Sequence, residues 1–196
     1  MFITPQNGSA GTLRFAITTN GGGSEQQVNS TTTLSTGIWH QVAITLSGGR
    51  GILYLDGIPV GTNNGFTINP STLGNTGNNY LGKSQYADPY LDGAFDEFRI
   101  YNAALSPAEI AATSALGPTQ LLSTSTPSLN IAASETNLTF SWPLGNAGFA
   151  LQWRTNLVLG DWQTITSPVP QILGGEWQIS LPQPAATDSF YYRLLK

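Results

Sequence analysis

The chain has 196 residues, of which only 9% are charged, against roughly 25% in an average soluble domain. Seven basic residues against eleven acidic ones leave a net charge of −4, which disfavours a nucleic-acid or anionic-membrane partner, since either needs a cationic face. There is no cysteine, so disulfides and thiolate metal sites are excluded, and no apolar run approaches the roughly 20 residues of a membrane span.

Thr, Ser, Asn, Gln and Gly carry the polarity, a composition suited to neutral polyols, which bind through hydrogen bonds and ring stacking. The first residues, "MFITPQNGSAG", have no basic or apolar leader segment, so an exported form is expected to have carried its leader elsewhere. From there strand signals dominate. "TLRFAITT" (12–19) alternates, with Leu13, Phe15 and Ile17 on one face. "WHQVAITLS" (39–47) continues with Val42, Ile44 and Leu46. "GILYLDGIPVG" (51–61) reads as a hairpin turning at Asp56-Gly57. "NYLGKS" (79–84) and "AFDEFRIYN" (94–102) follow as strands.

"LSPAEIAATSALG" is the one helix signal. Ser106 stands at the N-cap, Pro107 at N1 and Glu109 at N3, and Gly117-Pro118 stops it. A helix over 106–115 is expected to close a first domain, 1–117. "PTQLLSTSTPS" (118–128) loses periodicity and reads as a linker. Short strands then return over 137–142, 149–156, 162–166, 176–182 and 190–196, spaced as in a small antiparallel sandwich, 129–196. The fold class is all-β: a jelly-roll or β-sandwich portion with one short helix, then a second, smaller β-sandwich.

Four features occur in fixed order: a W-H-x-V-A strand at 39–43, a Y-x-D-G hairpin at 54–57, an L-G-x-S turn at 81–84, and G-x-x-D-E-x-R-I-Y-x-x-A-L-S at 93–106. On these the first part resembles the C-terminal portion of a laminin-G-like jelly roll of the concanavalin-A-like superfamily. A complete member carries further strands before the position of Met1, so the chain is expected to begin inside the fold. An open sheet edge there invites pairing, including homo-oligomerisation. "LTFSWP", "FALQWRTNLVLGDWQTI" and "FYYRLLK" resemble small fibronectin-type-III-like modules of secreted bacterial proteins. Both resemblances imply an extracellular or cell-surface role in carbohydrate recognition, in adhesion, or beside a glycoside hydrolase.

Asp96 and Glu97 are adjacent acids in a strand-like run, and successive strand side chains point to opposite faces. Asp96 falls with Ala94, Phe98 and Ile100, and Glu97 with Phe95, Arg99 and Tyr101. They cannot flank one glycosidic bond, which needs two carboxyls on one side about 5–9 Å apart. Asp96 is therefore expected to be a buried structural carboxylate accepting backbone N–H groups, and Glu97 to form a surface pair with Arg99. A glycan-active enzyme would have to gather acids from separate strands, with Asp56, Asp92 and Glu97 as candidates. His40 is the only histidine, and no G-x-S-x-G elbow accompanies it. It and Trp39 fall in the strand motif and are expected to be scaffold.

No cofactor is required by the sequence. Asp88 and Asp92 with nearby carbonyls offer the oxygen donors that calcium takes, although "DP" and "DG" also read as ordinary turns, the preferred reading. The strongest binding signal is aromatic. Sugar rings stack on exposed Tyr or Trp while amides bind their hydroxyls. "NTGNNYLGKSQYADPY" (75–90) places Tyr80, Tyr86 and Tyr90 among Asn78, Asn79 and Gln85. The expected function is a non-catalytic module that binds a polysaccharide there. A glycoside hydrolase and a structural spacer of a larger secreted protein are the alternatives.

Overall fold

The computed structural model describes residues 1–185 and 189–196. The chain divides into two compact units, Met1–Pro107 and Ala108–Lys196. Apart from one α-helix and short 3-10 turns, the regular structure among the described residues is antiparallel β in four sheets, as a β-sandwich protein requires.

In the first unit, β1 (Phe2–Asn7), β2 (Thr12–Ile17) and β3 (Gln26–Asn29) form one sheet in that order. β4 (Val42–Ser47), β5 (Arg50–Leu55) and β6 (Ile58–Asn63) form the other. The period-2 pattern of β2 turns Leu13, Phe15 and Ile17 inward, onto Val28, Leu53 and Phe66. Val42, Ile44 and Leu46 of β4 pack on the same core. The β5–β6 turn has Asp56 at φ 52° and Gly57 at φ 80°. Two left-handed residues in a row match the right-handed twist of the flanking strands, which is why Asp-Gly occupies this turn. The sheets meet where Thr31 N–H donates to the Val60 carbonyl at 3.0 Å and Asn63 Nδ2 to the Gln27 carbonyl at 2.8 Å.

Beyond β6 the outcome differs from expectation. Residues 64–106 contain no strand, only a 3-10 turn at Pro70–Leu73. The strands expected over 79–84 and 94–102 do not form. An apolar alternation marks a face that could be buried, but a strand exists only where a neighbour completes its ladder. Among the described residues none pairs with these segments.

α1 (Pro107–Leu116) belongs to the second unit from Ala108 onward. Glu109 sits in its first turn, and Gly117 follows it at φ 74°, a left-handed stop. The helix does not close the first half as expected: Ala108, Ala112 and Leu116, one turn apart, face the core of the second unit. The expected linker is also tied to this unit. Ser123 N–H donates to the Gly145 carbonyl at 2.8 Å, and Asn146 Nδ2 to the Ser125 carbonyl at 2.6 Å.

After it come β7 (Asn130–Ala133), β8 (Asn137–Pro143), β9 (Ala150–Arg154), β10 (Gln163–Thr164), β11 (Gln171–Leu173), β12 (Glu176–Pro182) and β13 (Tyr191–Leu195). They make a four-stranded sheet, β11-β12-β8-β7, and a three-stranded one, β10-β9-β13. Register sets Trp177 opposite Trp142 and Ile179 opposite Phe140. These four pack with Leu151 of β9 and with Tyr192 and Leu194 of β13 in one core. Among the described residues no helix is long and apolar enough to cross a membrane.

Candidate functional site

The loop over 75–92 carries the candidate binding residues. Its path is held by short local bonds, because Asn, Ser and Thr side chains can imitate a backbone turn. Thr76 Oγ1 donates to Asn79 Oδ1 at 3.0 Å, and Asn79 Nδ2 returns a bond to the Thr76 carbonyl at 3.1 Å. Ser84 Oγ accepts the Tyr86 N–H at 3.0 Å. Leu91 N–H donates to the Gly82 carbonyl at 2.9 Å, closing the loop on itself.

Out of this frame stand Tyr80, Tyr86 and Tyr90, which are 47%, 64% and 73% exposed. The Tyr80 hydroxyl donates to Asn78 Oδ1 at 3.2 Å, and Lys83 Nζ lies 4.8 Å from its ring centre, a cation–π contact. Gln85 is exposed. The arrangement can offer ring faces flanked by amide groups, with one cation beside them.

The acids do not gather. Asp88 and Asp92 are both exposed. Among the described residues no group of three or more His, Asp or Glu side chains forms a metal-binding cluster. Of the acids named for a hydrolase, Glu97 is paired with Arg99. Asp56 instead receives His40: Nδ1 lies 2.7 Å from Asp56 Oδ2, while Oδ1 accepts the Gln41 N–H at 2.9 Å.

Two structural assignments need correction. Asp96 is exposed, not buried, because the strand that would have turned it inward has no neighbour. Phe95, Phe98 and Ile100 around it are 53%, 64% and 80% exposed. Trp39 is 67% exposed rather than core, because β4 begins only at Val42 and leaves Trp39 in the preceding loop.

A second aromatic surface gave no clear signal in the sequence. In the second unit Trp153, Phe190 and Tyr192 line an open groove of about 450 Å³ with Thr164, Thr166, Ser167, Leu181, Pro182 and Pro184. The Trp153 and Phe190 rings are 5.4 Å apart, and burial raises the Tyr192 hydroxyl above its ordinary pKa. Alternation along β9 leaves open which face Trp153 takes; its register opposite Tyr192 on β13 decides it. Trp162 is filled from another side, with the Arg154 and Arg193 guanidinium carbons 4.7 and 4.3 Å from its ring centre.

Comparison with known proteins places the chain in a family. The Laminin_G_3 family, described as the concanavalin A-like lectin/glucanases superfamily, matches residues 2–111. No curated protein matches the chain. Among solved structures, the crystal structure of residues 221–444 of an S-layer domain-containing protein from Clostridium thermocellum is 39% identical, with a TM-score of 0.39. The match covers 53% of this chain and 52% of that one, so the chain spans about half the length of that structure. By the match over 2–111, more than half of its residues, the chain belongs to the concanavalin A-like lectin/glucanases superfamily.

Proposed function

We propose that the protein is an extracellular carbohydrate-binding or adhesion module that grips a polysaccharide on the tyrosines of the 75–92 loop, with no covalent chemistry in that loop. One observation carries this reading: Tyr80, Tyr86 and Tyr90 are 47–73% exposed in a loop rich in Asn and Gln. Large exposed rings in a locally braced loop present faces on which pyranose rings can stack. Membership of a superfamily of lectins and glucanases supports it. We read the second unit as a fibronectin-type-III-like companion, supported by its four- and three-stranded sheets on one core.

The test is affinity gel electrophoresis of the full chain against β-glucans, xylans, mannans and galactans. Retardation by at least one glycan is expected. Tyr86→Ala should weaken it about tenfold, since losing one stacked ring costs on the order of 1.4 kcal/mol. Mobility unchanged by every glycan would refute the reading.

A second reading has its own observation. The irregular run with Phe95, Phe98, Ile100 and Tyr101 is 42–80% exposed at these side chains. Such a run favours strand addition from another chain, including a second copy. Light scattering over a concentration series would show a dimer that Phe98→Lys and Ile100→Lys dissociate.

A further inference from the structure

The contact between His40 and Asp56 has a third member. Ser35 Oγ lies 2.7 Å from His40 Nε2, on the other side of the ring from Asp56 Oδ2, itself 2.7 Å from Nδ1. Ser35 and Asp56 lie 5 and 16 positions from His40 in the chain, and Asp56 meets His40 because β5 runs back antiparallel along β4, setting Leu55 opposite Val42. Asp56 is fixed in place: its Oδ1 accepts the Gln41 N–H at 2.9 Å, and its own N–H donates to the Gln41 carbonyl at 2.8 Å. The His40 side chain is 11% exposed, so its ring is shielded. Ser35 is exposed, as are Ile38 and Trp39 beside it in the chain.

We propose that Ser35, His40 and Asp56 form a hydrolytic triad acting on carboxylic esters with short acyl chains, such as O-acetylated sugars. The carboxylate at Nδ1 holds the proton there, which leaves Nε2 as an acceptor aimed at the Ser35 hydroxyl. Ser35 Oγ bonds to the ester carbonyl carbon as its proton passes to Nε2. The bond from that carbon to the alcohol oxygen then breaks, and Nε2 returns the proton to the departing alcohol. Water attacks the acyl-Ser35 carbon, giving a proton to Nε2. The carboxylic acid leaves as Ser35 recovers that proton, so ester and water become acid and alcohol. Gly37, two residues after Ser35, has φ 80°, and a left-handed residue in a bend can aim successive backbone N–H groups at an oxyanion. An open loop encloses little acyl chain, hence the preference for short ones. This activity is independent of the tyrosine loop.

The test uses the full chain with a fluorophosphonate probe and with p-nitrophenyl acetate. The expected result is a phosphonyl adduct mapped to Ser35 by mass spectrometry, abolished by prior denaturation. Ester hydrolysis should fall at least about tenfold in Ser35→Ala and in Asp56→Asn. An unmodified Ser35, or hydrolysis equal in Ser35→Ala and wild type, overturns the triad and leaves the cluster a structural clasp. The adduct needs no variant, so misfolding of a substitution cannot obscure the result.

Discussion

Gly61 on β6 sits against β3 of the other sheet of the first unit. A Cβ built there would lie 2.3 Å from the Asn29 carbonyl oxygen and 2.9 Å from Val28 Cγ1. The obstacle is backbone, which cannot swing aside as a side chain can. Gly61→Ala should therefore destabilise the first unit by about 2–3 kcal/mol, as overpacking does, lowering the midpoint of its urea unfolding. Gly57→Ala in the hairpin must hold φ 80°, and it should cost only about 1 kcal/mol. A larger loss at Gly57 than at Gly61 would mean that the sheets do not approach as described. At this scale the sequence spoke unevenly. Asp56-Gly57 announces its own turn, because the conformation demands those residue types. Gly61 announces nothing, because its reason lies on β3, far earlier in the chain.

Elements depend on partners, and that divides what was legible. β2, β4 and the β5–β6 hairpin could be read from alternation and turn chemistry, since each finds a neighbour a few residues away. In the second unit β8 and β12 were read the same way. β3, β7 and β11 are too short or too polar to signal themselves and exist through ladders with β2, β8 and β12. The run at 94–102 shows the converse: a strong pattern without a neighbour stays irregular.

Gln26 gives a test of how β3 holds the segment after β6. Its Oε1 accepts the N–H groups of Thr67 and Ile68 at 2.9 and 3.0 Å. Its Nε2 donates to Thr67 Oγ1 at 2.6 Å. Gln26→Ala should cost about 1–3 kcal/mol and speed amide exchange at Thr67 and Ile68. Exchange there equal to wild type would contradict this anchoring. The helix supplies another test. Ala112 is fully buried in the core of the second unit, so Ala112→Asp should leave an unpaired charge there. It should lower the thermal midpoint followed by Trp142 and Trp177 fluorescence by several degrees.

At the scale of the whole molecule, a family fold carries a surface loop. The scaffold explains why the loop can be shaped by bonds among its own side chains, and why its tyrosines need not serve a core. The sequence pointed to the loop because rings and amides were concentrated there. It could not point to Ser35, His40 and Asp56, whose meeting depends on a hairpin, nor to the Trp153 groove, whose walls come from several strands and their connections. The most direct measurement is isothermal titration of an oligosaccharide from the retarding glycan into wild type, Tyr86→Ala/Tyr90→Ala and Trp153→Ala. The double tyrosine variant should bind about 100-fold more weakly, two rings at about 1.4 kcal/mol each, with Trp153→Ala unchanged. Full affinity in the double variant, or loss of binding in Trp153→Ala alone, would contradict a ligand site on the tyrosine loop.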